Sequence, residues 1–310
     1  MIEVQPAGCD KRRMIARRNN RIAALNEGAC CRIASGFNLC PSTPVVAEPL
    51  PLSVVIVACN EARNLPRCLA SVQGWVAEII VVLNGTTDDS EMIAEQHGAV
   101  VFETEWRGYR DTKNWALDHA SRPWALALDA DEEVSAALRA GIEEFFRRAD
   151  HESFAGARFP RKVWFIDRWI MHGDWYPDYN LRLFHRGRAR WGGDAFVHEK
   201  VEVDGPVATL TGDLHHYSFP TLSRHVAKIN PFADLFVEQQ KSRNGRFSLA
   251  TAVLRPGWRF FRAYVLKLGF LDGYPGFYIA WANAFGALVR YSRLYEAERK
   301  TEPRMNTNQH

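Results

Sequence analysis

The sequence predicts an α/β protein built on a Rossmann-like, mostly parallel sheet flanked by helices. Three observations carry this. Short β-branched apolar runs recur every 20–26 residues from Leu52 onward. Each run is apolar on both faces, as strands covered by helices are. Helix-like stretches fill the gaps, so right-handed β-α-β crossovers are the default connection.

The four runs are 52–58, 78–83, 99–102 and 124–128, and the intervening helices are expected at 61–72, 88–97 and 112–120. A further helix follows Val134 and runs through Arg148. The next hundred residues are rich in aromatics and carry shorter alternating strands, such as 180–184 and 196–203. They predict a mixed or antiparallel extension packed on the first sheet. Beyond Thr221 the chain reads as helical to about Glu298. This divides the chain into a basic, disordered leader (1–50), a catalytic domain (51–220), a helical amphipathic extension (221–300) and a disordered tail (301–310). The leader has a basic run over 11–21 and a Pro-rich end, with no signal-peptide apolar segment after the charges.

An apolar share of 47% and a charged share of 24% argue against disorder, a fibrous protein or a polytopic membrane protein. A net charge of +3 is too small for a nucleic-acid binder. The middle, 51–254, holds 23 Lys/Arg against 28 Asp/Glu, between basic ends. That suits metal-dependent chemistry at the centre and an anionic surface at an edge. The six cysteines show no CxxC spacing, which favours a reducing, cytoplasmic compartment.

Ligands of open α/β sheets bind beyond the carboxyl ends of the strands, and three motifs fall there. Asp129-Ala130-Asp131-Glu132 ends the fourth strand. In extended geometry Asp129 and Asp131 share a face, and two hard oxygen donors suit Mg²⁺ or Mn²⁺ bridging nucleotide phosphates. An acidic helix N-terminus is the plainer alternative. Asn60-Glu61 ends the first strand, where it contacts a nucleotide or caps the next helix. Lys113 opens the helix before the Asp-x-Asp strand and is a cation for a diphosphate or simply a surface lysine.

These motifs, with Gly85-Thr86-Thr87-Asp88 after the second strand, resemble the GT-A core of family 2 glycosyltransferases. Downstream, His172-Gly-Asp-Trp-Tyr-Pro-Asp178, Val197-His-Glu-Lys-Val201, His215-His216-Tyr217-Ser218 and Leu268-Gly-Phe-Leu-Asp-Gly273 narrow the likeness. They resemble the subgroup that adds glucose to the lipopolysaccharide inner core. The resemblance covers about residues 52–297. It implies a nucleotide sugar, with UDP first, as donor, and a cell-surface glycan or lipid-linked saccharide as acceptor. It implies that Asn60, Glu61 and Asp88 line the nucleotide pocket, that Lys113 approaches the diphosphate, and that Asp129 and Asp131 hold the metal. One departure stands out: the family's usual base-contacting Asp is replaced by Leu83, with Asn84 beside it as a substitute.

An inverting transferase needs a carboxylate to take the acceptor hydroxyl's proton. Glu199 is the first candidate: on a strand it shares the face of Val197, Val201 and Val203, and apolar neighbours raise a carboxyl pKa. The alternative is a buried acid paired with an arginine such as Arg182. Asp178 is the second candidate, with a turn or acceptor-binding role as its alternative. His216, or else His198, is the candidate third metal ligand; a hydrogen-bonded core histidine is the alternative. Trp175 and Tyr176 are either sugar-stacking or core aromatics.

From Arg255 four cations interleave with aromatics, and 273–289 carries no charge. A helix of about fourteen residues ending at Val289 is expected, too short to span a bilayer. The segment reads as an interfacial element on an anionic membrane surface, or as a core helix or dimer face. Two competing functions remain: a non-catalytic nucleotide- or glycan-binding protein, and an Asp-based phosphotransferase. The second fits poorly, because its Asp-x-Asp belongs on an early strand.

Overall fold

The computed structural model describes residues 48–193 and 200–301. The expectations for residues 1–47, His198, Glu199 and residues 302–310 lie outside them.

The predicted parallel core is present. β1 (Leu50–Ala58) pairs in parallel with β2 (Val76–Leu83), which pairs in parallel with β3 (Val100–Glu103). On its other side β1 pairs in parallel with β4 (Trp124–Asp129). The crossovers are α1 (Leu65–Val72), α2 (Ser90–Gln96) and α3 (Tyr109–His119). The order β3-β2-β1-β4 reverses direction beside β1, which opens a crevice past the carboxyl ends of β1 and β4.

Alternation along the buried strands explains the two layers. Val54 and Ile56 face a core shared with Leu65 and Leu69 of α1. Val55 faces the opposite layer with Ala116 and Leu117 of α3. Helix α1 buries Leu65, Cys68, Leu69 and Val72, one stripe of a 3.6-residue period. It begins four residues later than predicted. The N–H groups of Asn64 and Leu65 both bond to the Glu61 carbonyl, and Pro66 sits in the first turn, where a missing N–H costs nothing.

The second half departs from expectation. β5 (Glu132–Val134) and α4 (Ala136–Arg147) follow the Asp-x-Asp turn. Then come β6 (Gly156–Phe165), β7 (Arg168–Trp169), β8 (Asp178–His185), β9 (Ala189–Gly192), β10 (Lys200–Val203), β11 (Val207–Thr209) and β12 (Leu214–Phe219). Rather than packing on the first sheet, most of these strands extend it edge to edge. β8 joins β4 antiparallel, and β6, β12 and β5 continue outward, giving ten strands in one mixed sheet among the described residues. Only β9 and β10 form a separate pair, set against α3 through Trp191.

The helical extension is as predicted in kind: α5 (Leu222–Ala227), α6 (Ile229–Ser242), α7 (Leu249–Phe261) and α8 (Gly273–Thr301). α8 runs 29 residues rather than about fourteen. The charges after Val289 do not end it, because they are paired: Arg293 with Asp234 of α6, and Lys300 with Glu296 one turn away. No helix among the described residues is long and apolar enough to cross a membrane.

Candidate active site

The site lies in the crevice between β1, β4, α3 and β9, lined by Val57, Lys113, Asp129, Arg182, Phe184 and Trp191 among others. β4 stops at Asp129 and the chain turns through Ala130 and Asp131. The side chain of Glu132 closes that turn by accepting the Asp129 N–H at 2.9 Å. Because the strand ends one residue after Leu128, the shared-face argument for the two aspartates fails, and they point to different partners.

Asp129 is held by cations. Its Oδ2 lies 2.6 Å from Arg182 and its Oδ1 3.3 Å from Lys113 Nζ. Burial opposes its charge, but Arg182 and Lys113 outweigh this and hold its carboxyl well below the usual range. Asp131 instead faces His216, with Oδ2 3.4 Å from Nε2. Burial again opposes ionisation, and the His216 hydrogen bond and charge prevail, so Asp131 also sits low. The expected trio of metal ligands is therefore split: Asp131 and His216 converge, whereas Asp129 is engaged by a guanidinium. Among the described residues no three His, Cys, Asp or Glu side chains form a metal cluster. Two converging protein donors still fit a Mg²⁺- or Mn²⁺-type ion, which is commonly held by one or two protein ligands plus substrate phosphates and water.

Lys113 sits in the second turn of α3, not at its start. The neighbouring Asn114 places it: its side-chain amide donates to the Trp191 carbonyl at 2.8 Å and accepts the Trp191 N–H at 3.0 Å. This two-point clasp ties α3 to β9 and sets the Trp191 ring 4.5 Å from Lys113 Nζ, a cation–π contact.

The proposed nucleotide contacts are arranged as a braced loop. Asn60 adopts φ +54° and does not cap α1; its Oδ1 accepts the Thr87 N–H at 2.8 Å. Asp88 accepts the Ala62 N–H at 3.0 Å and the Ser90 N–H at 3.1 Å, so it ties the β2–α2 loop to the β1–α1 loop. Glu61 accepts from Asn64, and burial, with the nearby charge of Asp131 adding, lifts its carboxyl above the ordinary range despite that hydrogen bond. Leu83 is fully buried. Asn84 is also buried and donates to the Thr104 carbonyl, which gives it a structural role rather than that of a base contact.

Asp178 accepts from Arg161 at 2.9 Å and from Asn180 at 2.9 Å through the same oxygen. Trp175 stacks on Phe219 with centroids 5.1 Å apart and belongs to a core cluster, and Tyr176 donates to Asp213. His215 stacks on Trp169 and faces away from the Asp131 pair. Arg182, considered from sequence as a partner for Glu199, bridges Asp129 and the fully buried Glu132, 2.9 Å away. In the sequence Glu132 stands only as the end of the acidic motif. The signal for its role was its spacing: three residues after Asp129, it reaches back to the turn's first N–H.

Residues 53–200 match the family described as Glycosyl transferase family 2. The chain is 30% identical over 253 residues to the lipopolysaccharide core biosynthesis glycosyltransferase LpsC of Rhizobium meliloti (strain 1021), covering 80% of this chain and 93% of that one. The chain belongs to glycosyltransferase family 2. This glycosyltransferase is also 30% identical over 266 residues to an uncharacterized glycosyltransferase of Rickettsia felis, covering 81% and 92% of the two chains. Among solved structures it is similar to S. aureus TarS 1-349 in complex with UDP-GlcNAc, at 12% identity and a TM-score of 0.43, covering 81% and 92%. The fold class expected from sequence holds: a GT-A core with a mixed strand and helix extension.

Proposed function

We propose that this family 2 glycosyltransferase is an inverting, metal-dependent enzyme. It moves a hexose, with glucose first, from a UDP-sugar to a lipopolysaccharide core or related lipid-linked saccharide at the cytoplasmic face of a membrane. The observation that carries the reading is the pair Asp131 and His216 beside the crevice that holds Lys113. The acceptor class rests on likeness to LpsC, a lipopolysaccharide core biosynthesis enzyme.

In this reading Asp131 and His216 would hold Mg²⁺ or Mn²⁺, and the ion would supply positive charge for a diphosphate leaving group. Lys113 adds a second positive charge on the α3 side of the crevice. Asp129 takes no metal; clamped by Arg182 and Lys113, it keeps one face toward the sugar and ribose hydroxyls as an acceptor. Asn60, Glu61 and Asp88 shape the loops that flank the nucleotide. Glu199 accepts the proton of the attacking acceptor hydroxyl. Asp178, whose one carboxylate oxygen already accepts from Arg161 and Asn180, stands second to Glu199 for this role.

The test is a panel of nucleotide sugars screened for thermal stabilisation with and without Mn²⁺. A donor at a hundred times its Kd adds about 2.7 kcal/mol, or about 4 °C for a chain of this size. Stabilisation by a UDP-sugar that requires Mn²⁺ is expected. If no nucleotide sugar shifts the melt, and none is turned over, the reading fails.

A further inference from the structure

Helix α7 is inverted relative to an ordinary surface helix. Its buried residue is Ala252, while Leu254 is 69% exposed and Trp258 58%. Leu254, Trp258 and Phe261 fall four and three residues apart and so share one outward stripe. The π-helical turn Arg262–Leu266 and the 3₁₀ turn Gly269–Asp272 add exposed Leu271, and α8 adds exposed Trp281. The stripes join through Phe260, whose ring lies 5.1 Å from Trp281 and 5.3 Å from Tyr264.

The charge around this face has one sign. From Gln239 to Tyr295 the sequence holds nine Lys/Arg and a single acid, Asp272. That acid is not at the surface: its side chain is 6% exposed and accepts the N–H groups of Met171 and His172. Arg259, Arg262 and Lys267 gather on one buried carboxylate, Asp174, at 3.8, 2.8 and 3.2 Å. Three cations on one anion leave a local surplus of positive charge beside the apolar stripe.

We propose that the face formed by α7, the two turns after it and the first half of α8 docks on an anionic lipid bilayer. Exposed Trp, Phe and Leu flanked by Arg and Lys suit an interfacial element lying in the membrane plane. The positive surplus meets anionic headgroups. A second copy of the chain fits less well: a two-fold contact would bring the same cations against each other. This inference is independent of the donor and acceptor, since it involves no residue of the crevice.

The experiment is flotation of the full chain with vesicles of phosphatidylcholine alone, or containing about 30% phosphatidylglycerol, at about 0.1 M and about 0.5 M NaCl. Binding to the anionic vesicles is expected, weakened about tenfold or more by the higher salt or by neutral lipid. The double variant L254E/W258E should lose binding about tenfold or more while keeping the melting temperature and nucleotide-sugar response of the parent. Arg255→Glu, which leaves the apolar stripe intact, should weaken binding to anionic vesicles only. No flotation of the parent chain, equal flotation of the double variant, or light scattering that shows a dimer dissolved by L254E/W258E would each overturn the proposal, the last in favour of a protein interface.

Discussion

Replacing Arg182 by methionine removes a guanidinium that bridges two carboxylates beneath the site, 2.6 Å from Asp129 and 2.9 Å from Glu132. Breaking a buried ion pair by removing one partner costs about 3–5 kcal/mol, because the other charge is left stranded. Here the lower end applies. Asp129 is about a third exposed and keeps Lys113, and Arg161 remains 3.7 Å from the same Glu132 oxygen. Methionine also fills much of the vacated volume. A loss of about 3 kcal/mol corresponds to a fall of about 5 °C in Tm. The pH dependence has a definite sign. In the parent, the Asp129 carboxyl sits below its ordinary range, so its contribution is present above that range and is lost as pH falls below it. The variant lacks most of that contribution. The gap in Tm between parent and variant should therefore be widest at neutral pH and narrow on acidification. Melts followed by circular dichroism across that range decide it. A fall under about 2 °C at neutral pH, or a gap that widens in acid, would refute the assignment of Arg182 as the counter-charge of this pair.

Other outcomes can be checked separately. Asp131→Asn should weaken Mn²⁺-dependent UDP binding by about tenfold or more, measured by calorimetry. Glu199→Gln should abolish turnover while leaving UDP affinity near that of the parent; retained turnover would move the proton-accepting role to Asp178. Gly212 holds φ +94°, and a Cβ there would clash with the Leu138 backbone nitrogen in the first turn of α4; Gly212→Ala should cost about 1–3 kcal/mol in urea unfolding with m unchanged. Tyr176 and Tyr217 are pushed up to about 12 by burial and by hydrogen bonds to Asp213 and Glu133, so they should ionise late in an ultraviolet titration. The stability they lend is present below pH 10 and lost as pH rises toward 12.

The parallel core was legible because strands buried on both faces leave continuous apolar runs, and all four runs became β1 to β4 within two residues at each end. The placement of Asp129, Asp131 and Lys113 followed from the topology rule for open sheets. The joining of β8 to β4 was not legible. Strand 180–184 shows its alternation in the sequence, but which edge it pairs with depends on contacts fifty residues away. The same distance hid the Arg182 bridge: a buried arginine requires a buried acid, yet nothing local says which one. The divergence of Asp129 and Asp131 was missed because an i, i+2 pair shares a face only while the strand lasts, and Glu132 ends it by capping the turn. The length of α8 was underestimated because only the uncharged run to Val289 was counted, whereas the helix continues through Arg293, which finds its partner on α6.

The Arg182 bridge has a consequence for engineering this enzyme. Its guanidinium comes from β8 and its two acids from the end of β4 and the start of β5, so charge left at the edge of the parallel core is balanced from the mixed extension. A chimera that grafts a foreign segment in place of β6 to β8 would strip the fully buried Glu132 of both its guanidinium partners, Arg161 and Arg182, and leave Asp129 with Lys113 alone, unless the transplant brings its own arginine at the position of Arg182. Recombination within this architecture is therefore constrained first by charge and only then by shape.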